Sequence, residues 1–329
     1  MPSVRLYRHH VMASLRVAVV GCGTAGPAAA LHLARRLGSC EKRVVQRGLH
    51  GSVLRSDKYV CLSQDCAVEI FDRTVTPSAV GAGIGVQPIG LTALKKLGLL
   101  EEVLAHGARI EAIRTWVKND RATEGVWAGR RCLDIEYARY DPRLFGVGLA
   151  RGVLFESLLG ACQRQEGVTA RFGVSVERLE PGTDTVCIRD SDNIRHGPYD
   201  LVVIAAGTRA NSLRDQLGLS SWFKQYPYGA LFALVPDEDH VFGRALHQVH
   251  AGPGCHTTLG FLPTGVPSHG GIDTVGDGYA DKAARSVATL YYNLREDEYA
   301  AWQQVFVEKM LRITLTLLVH SLVWSSKCR

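Results

Sequence analysis

The stretch RVAVVGCGTAGPAAALHLARR, Arg16–Arg36, reads as a strand, a glycine turn and a helix. An apolar run, Val17–Val20, leads into Gly21, Gly23 and Gly26 at the G-x-G-x-x-G spacing of a dinucleotide-binding turn. The first glycine permits the tight turn, and the second lets the backbone approach a pyrophosphate. The third lets the helix lie close on the strand, with its N-terminus facing the phosphates. Such a unit calls for an Asp or Glu about 20 residues later, ending a second strand, to hold a ribose hydroxyl. The region where it belongs, LGSCEKRVVQRGLHGSVLRSDKYVCLSQ, is basic and has no clean period.

The acid comes further on. Ala67–Phe71 in CAVEIFDR is a short β-prone run ending on Asp72, 46 positions after Gly26. Removing Gly38–Asp65, 28 residues, leaves 18 and restores a regular βαβ spacing. The chain thus reads as a dinucleotide unit carrying an insert at a helix–strand junction. A surface loop is tolerable there, because closure entropy grows slowly with loop length. The insert is expected to lie outside the core and to offer trypsin Lys42, Arg43, Arg47 and Arg55.

A chain of 329 residues can bury the core of one complex domain or two, and 46% hydrophobic residues with 34 glycines suit an α/β protein rich in tight turns. The net charge of +6 is spread out apart from Lys42–Arg55, so the basic stripe of a nucleic-acid binder is missing. Nine scattered cysteines without a repeated C-x-x-C pair favour reduced thiols and a cytoplasmic setting. Residues 1–14 read as an N-terminal extension, since they lack the sustained apolar core of a secretory signal. MLRITLTLLVHSLVW, Met310–Trp324, is short and interrupted by Arg312 and His320, so no stable membrane span is expected.

Beyond Asp72, GAGIGVQPIGLTALKKLGLLEEVLAHGARI carries a glycine-rich loop, Gly81–Gly85, followed by Gln87-Pro88. A helix is expected from about Gly90 to Leu97 and another from Leu99 to His106. ARGVLFESLLGAC reads as a helix opened by Arg151, and YDLVVIAAGTRANSLR as a strand, Leu201–Ala205, followed by Gly207, Ser212 and Arg214. QYPYGALFALVP, LHQV and LGFLPTG read as strands of a second sheet. In this order, from Leu15 to Trp302 apart from the insert, the segments resemble the FAD-dependent aromatic monooxygenases, the group that includes salicylate and para-hydroxybenzoate hydroxylases.

The resemblance implies an α/β fold in which a Rossmann-like FAD-binding domain (15–109 and 139–220) is interleaved with a β-sheet substrate domain (110–138 and 221–295), before a helical segment (296–329). It implies FAD as cofactor, NAD(P)H as co-substrate, and a small aromatic substrate hydroxylated with O2. It also implies cofactor contacts from Gly21, Gly23, Ala25, Gly26, Asp72, Arg73, Gly83, Gln87, Arg151, Ala206 and Gly207. Asp72 would take the adenosine ribose, the Gly81–Gln87 backbone the flavin edge, and Arg151 the FAD phosphates.

Two departures from the family pattern stand out. The second fingerprint reads Asp-Gly in the family and Ala206-Gly207 here, and a lost charged hydrogen bond typically costs about 1.5–3 kcal/mol. The family's later Gly-Asp motif, which points a helix N-terminus at the flavin, does not follow Trp302; Gly276-Asp277 precedes LYYNLREDEYAAW and reads as a loop. The chain alone is therefore expected to hold FAD weakly and to hydroxylate poorly, with an apolar tail from Lys309 lacking a partner. Two other readings stay open: a different FAD/NAD(P)-dependent oxidoreductase, and a non-catalytic truncated relative. No catalytic acid or base is legible. His247, His250, Cys255 and His256 cluster like metal ligands, yet strand alternation sends 247 and 250 to opposite faces, and hairpin histidines are the plainer reading. The sequence contains neither G-x-S-x-G nor a P-loop.

Overall fold

The computed structural model describes residues 15–38, 66–77, 81–118, 129–218, 224–237, 240–251, 257–267 and 286–304. β1 (Leu15–Val20) runs into α1 (Ala25–Gly38), and β2 (Cys66–Asp72) returns beside β1 in parallel, Val17 opposite Val68 and Val20 opposite Phe71. The βαβ unit read from the sequence is therefore present. Of the expected insert, Gly38 closes α1, and residues 39–65 lie outside the described residues. β8 (Val168–Phe172) and β12 (Leu201–Ile204) complete a four-stranded sheet in the order β12-β1-β2-β8, with every neighbouring pair parallel.

Alternation along β1 sorts its side chains between two cores. Val17 and Val19 are fully buried with Ala30 and Leu31 of α1, Val68 and Ile70 of β2, and Leu158 of α4 (Arg151–Arg164). Ala18 and Phe71 lie in a second core with Ile188 and Tyr199. Those two come from an antiparallel sheet of β9 (Val176–Pro181), β10 (Val186–Asp190) and β11 (Arg195–Tyr199). Burial on both faces contributes roughly 1.5–3 kcal/mol for each large aliphatic side chain, and this anchors β1 at the centre.

A small antiparallel sheet has the order β3 (Gly83–Val86), β7 (Gly146–Ala150), β4 (Ala108–Ile110). A six-stranded mixed sheet has the order β13 (Tyr228–Pro236), β16 (Val287–Arg295), β15 (Thr257–Gly265), β14 (Ala245–Ala251), β5 (Ala112–Lys118), β6 (Gly129–Glu136). The sequence GVGLA of β7 explains how they join. Val147 and Leu149 enter the helical core with Leu91, Leu94 and Val103. Gly148, on the opposite side, lets β15 approach so closely that a Cβ there would lie 1.8 Å from the Pro263 carbonyl oxygen.

α2 (Pro88–Lys96) begins two residues before the expected Gly90, because Pro88 with its fixed φ is suited to the first helical turn. α3 (Leu100–His106) follows closely, and α5 (Asn211–Asp215) comes after β12. Among the described residues no helix is long and apolar enough to cross a membrane.

Candidate cofactor-binding site

The carboxyl ends of β1, β2 and β12 open into a cleft of about 1090 Å³, the place where parallel α/β sheets bind ligands. That volume lies just above the usual small-molecule range of about 300–1,000 Å³. The first turn is built by glycines under different constraints. Gly21 takes φ +107° and donates its N–H to the Phe71 carbonyl at 2.7 Å. A Cβ on Gly26 would fall 1.9 Å from the Gly21 carbonyl oxygen, so only glycine lets α1 touch the turn. Over Gly23 nothing lies within 4 Å of where a Cβ would stand. The fold does not need glycine there. Ala25, exposed, opens α1, whose first turn carries no acidic residue to offset the positive end of its dipole.

Asp72 closes β2 at the edge of this cleft. One carboxylate oxygen accepts the Cys22 N–H at 2.6 Å and the other the Thr74 N–H at 2.8 Å. Asp72 thus ties the glycine turn to the end of β2, and its oxygens keep further lone pairs as acceptors. Beside it the Cys22 thiol is pushed up to about 12, first by burial and then by the Asp72 charge and by Cys162. Burial raises Cys162 itself to about 11. Neither thiol is a nucleophile at neutral pH.

Arg73 and Arg151 also line the cleft. Arg151 donates its backbone N–H to Ala82 O at 3.2 Å, and its aliphatic stem packs over Gly81. Its guanidinium forms no ion pair with any described residue, which leaves a positive charge on the wall. Ala206 and Gly207 line the same cleft, the latter at φ +59° with open space beyond.

Gly83 and Gln87 sit elsewhere. A Cβ on Gly83 would lie 2.2 Å from Thr264 Cγ2, and its N–H donates to Thr289 Oγ1 at 3.0 Å. The glycine is therefore demanded by contact between β3 and the six-stranded sheet. Gln87 Oε1 accepts a hydrogen bond from the Tyr137 hydroxyl at 2.5 Å. So the turn, Asp72, Arg73, Arg151, Ala206 and Gly207 are brought together, while Gly83 packs against the six-stranded sheet and Gln87 against Tyr137.

Two features were not legible beforehand. The Cys22–Asp72 bond joins residues 50 apart, and its only sequence signal is the acid itself. On the six-stranded sheet, Thr115 Oγ1 donates to Gln248 Oε1 at 3.1 Å and Gln248 Nε2 donates to the Tyr291 hydroxyl at 2.6 Å. A faint signal for it is polar residues alternating with apolar ones in these strands. The histidines grouped in the sequence have separate partners: His247 stacks on Trp116 with centroids 5.4 Å apart, whereas His250 Nδ1 pairs with Thr258 Oγ1 at 2.8 Å. Cys255 and His256 lie outside the described residues, as does Gly276-Asp277. Among the described residues no group of three or more His, Cys, Asp or Glu is placed to hold a metal ion.

No protein-family model matches the chain, and no curated protein matches its sequence. Solved structures do. The tetrameric form of 2-methyl-3-hydroxypyridine-5-carboxylic acid oxygenase superposes with a TM-score of 0.59 at 16% identity, over 87% of this chain and 60% of that one. PqsL, a probable FAD-dependent monooxygenase from Pseudomonas aeruginosa, gives 0.55 at 14% identity, over 88% of this chain and 62% of that one. PqsL has also been solved with 2-aminobenzoylacetate, and that structure gives 0.56 at 15% identity, over 88% of this chain and 63% of that one. The chain spans about 60% of the length of these proteins. It has the α/β fold found in these oxygenases.

Proposed function

We propose that the chain binds FAD in the cleft at the ends of β1, β2 and β12, and belongs to an FAD-dependent monooxygenase that uses NAD(P)H and O2 to hydroxylate a small aromatic molecule. The observation that carries this reading is the open space over Gly23, within a fingerprint turn whose other glycines are demanded by the fold itself. In this reading Gly21–Gly26 and the N-terminus of α1 receive the pyrophosphate, Asp72 takes the ribose, and Arg73 and Arg151 supply positive charge. Ala206 and Gly207 form the far wall, where alanine offers no carboxylate to the ligand. FAD, when bound, supplies the redox chemistry that activates oxygen, while the chain binds, orients and excludes water. The fold shared with oxygenases of aromatic compounds supports the substrate class, and the six-stranded sheet is the proposed substrate domain. Five described cysteines are free, Cys132 exposed among them, which supports a reducing, cytoplasmic setting.

The test is the visible spectrum of the purified chain, before and after incubation with FAD. Bound flavin is the expected result; a colourless protein that cannot be loaded with FAD overturns the reading. With flavin bound, labelled dioxygen separates the monooxygenase from other flavin oxidoreductases. Label entering an aromatic product supports hydroxylation, and its absence across a panel of phenols and aminobenzoyl compounds argues for a different oxidoreductase.

A further inference from the structure

We infer that the free edge of β13 pairs antiparallel with β13 of a second copy of this chain, about a twofold axis at Phe232. β13 ends the six-stranded sheet. β16 covers one side of it, and among the described residues no strand pairs with the other. An open edge presents unpaired N–H and C=O groups, and proteins blunt such edges with charges, bulges, proline or brevity.

The same sheet is blunted at its opposite end. β6 carries Arg130, Arg131, Asp134 and Glu136, and its ladder with β5 shifts register between Thr115 and Trp116. The other sheets end on strands of three to six residues. β13 has nine residues, none of them charged, and pairs with β16 without a break from Tyr228 to Pro236. Its one proline stands at the last position, where a missing N–H only marks the end of the ladder.

A second copy fits this edge because the strand is its own complement. An antiparallel pair centred on Phe232 sets Gly229 opposite Val235, Ala230 opposite Leu234, and Leu231 opposite Ala233. Each pair joins a small residue to a large one, so neighbours across the axis fill space without crowding. A Cβ on Gly229 would meet nothing within 4 Å, and Ala230 and Ala233 are exposed. Phe232, 51% exposed, meets its own copy on the axis, and an aromatic pair directly opposite stabilises a sheet by about 0.2–1 kcal/mol. Gln225–Pro236 contains no charge, so the twofold brings no like charges together. One strand pair is a small interface, below about 1,200 Å², which suits a dimer that dissociates in the micromolar range.

Sedimentation velocity of the full chain between about 1 and 100 µM tests this. The parent should pass from monomer to dimer across that range. Phe232→Lys and Phe232→Glu each set like charges opposite one another on the axis, so either variant alone should dimerise about tenfold more weakly or worse. Mixed in equal amounts the two should recover the dimer, because a lysine then faces a glutamate. Phe232→Cys gives an independent measurement. Opposite residues stand about 4.5–5.5 Å apart at Cβ, so mild oxidation should link two copies through position 232, as mass spectrometry of the joined peptide would show. A parent that stays monomeric at about 100 µM overturns the inference and leaves the edge to another occupant. So does a dimer that both charged variants form as tightly as the parent, or one that oxidation does not join at position 232.

Discussion

Gly23 and Gly26 are three residues apart and look equivalent in the fingerprint, but the backbone around them separates their roles. Gly26→Ala places a Cβ 1.9 Å from a carbonyl oxygen, so α1 must shift; a loss of about 1–3 kcal/mol is expected in urea titration. Gly23→Val adds its side chain to open space. The thermal midpoint should hold while FAD affinity, read by flavin fluorescence, falls by tenfold or more, about 1.4 kcal/mol. Two thiols differ as sharply. Cys132 is exposed and Cys22 is buried, with its thiol pushed up to about 12. Iodoacetamide near pH 8 should modify Cys132 and spare Cys22 until the chain is unfolded, as mass spectrometry would show. The sign of the pH effect follows from the raised thiol value. Cys22 contributes its full stability below the unfolded value near 9 and loses it as pH rises towards about 12.

At the scale of elements, the β10–β11 hairpin depends on one acid. Asp190 accepts the Asp192 N–H at 3.0 Å and the Ile194 N–H at 2.8 Å on one oxygen, and holds His196 Nε2 at 2.8 Å on the other. Burial pushes its carboxyl up, but His196 and the backbone donors together outweigh it, and the net value falls below the ordinary one. The sign is therefore opposite to that of Cys22. The contribution is present above the ordinary carboxylate value near 3.8 and is lost as pH falls through the lowered one. Asp190→Ala should destabilise the chain by about 1–3 kcal/mol in urea at neutral pH, and the difference from the parent should shrink in acid. An unchanged urea midpoint would show that the turn closes without it. The His196 ring packs on Phe71 at 5.1 Å, and the Phe71 carbonyl receives the Gly21 N–H, so this hairpin backs the glycine turn.

For the whole molecule, ligand binding and folding are one equilibrium. The cleft draws its walls from β1, β2, α4, β9 and the segment after β12, so a ligand held there would bridge separate elements of the chain. At a hundredfold excess over the parent's Kd, FAD should stabilise the parent by about 2.7 kcal/mol and raise Tm, while Gly23→Val, binding tenfold more weakly, should gain about 1.4 kcal/mol at most at the same concentration. An equal shift in that variant would place FAD elsewhere. The glycine faces of β3 and β7 against β15 act at the same scale, because they set the distance between the nucleotide cleft and the six-stranded sheet.

The glycine turn was legible from the sequence because strand, turn and helix are contiguous, and each constraint on the backbone has a residue type that meets it. Asp72 was legible despite its distance, since a short apolar run ending in an acid is a local pattern, and β2 pairs with β1 where that pattern predicts. What tertiary structure alone decided depends on register between strands far apart in the chain. Gly83 reads in the sequence as part of a glycine-rich loop, and the fold adds a constraint of its own: Thr264 and Thr289 fill the space of its missing side chain, and nothing near Gly83 in the sequence announces them. Thr115 and Gln248 are 133 residues apart, and each alone is an ordinary polar strand residue. Only the pairing of β5, β14, β15 and β16 places Thr115, Gln248, Gly260 and Tyr291 in one line, because hydrogen-bond direction is a property of neighbours in space.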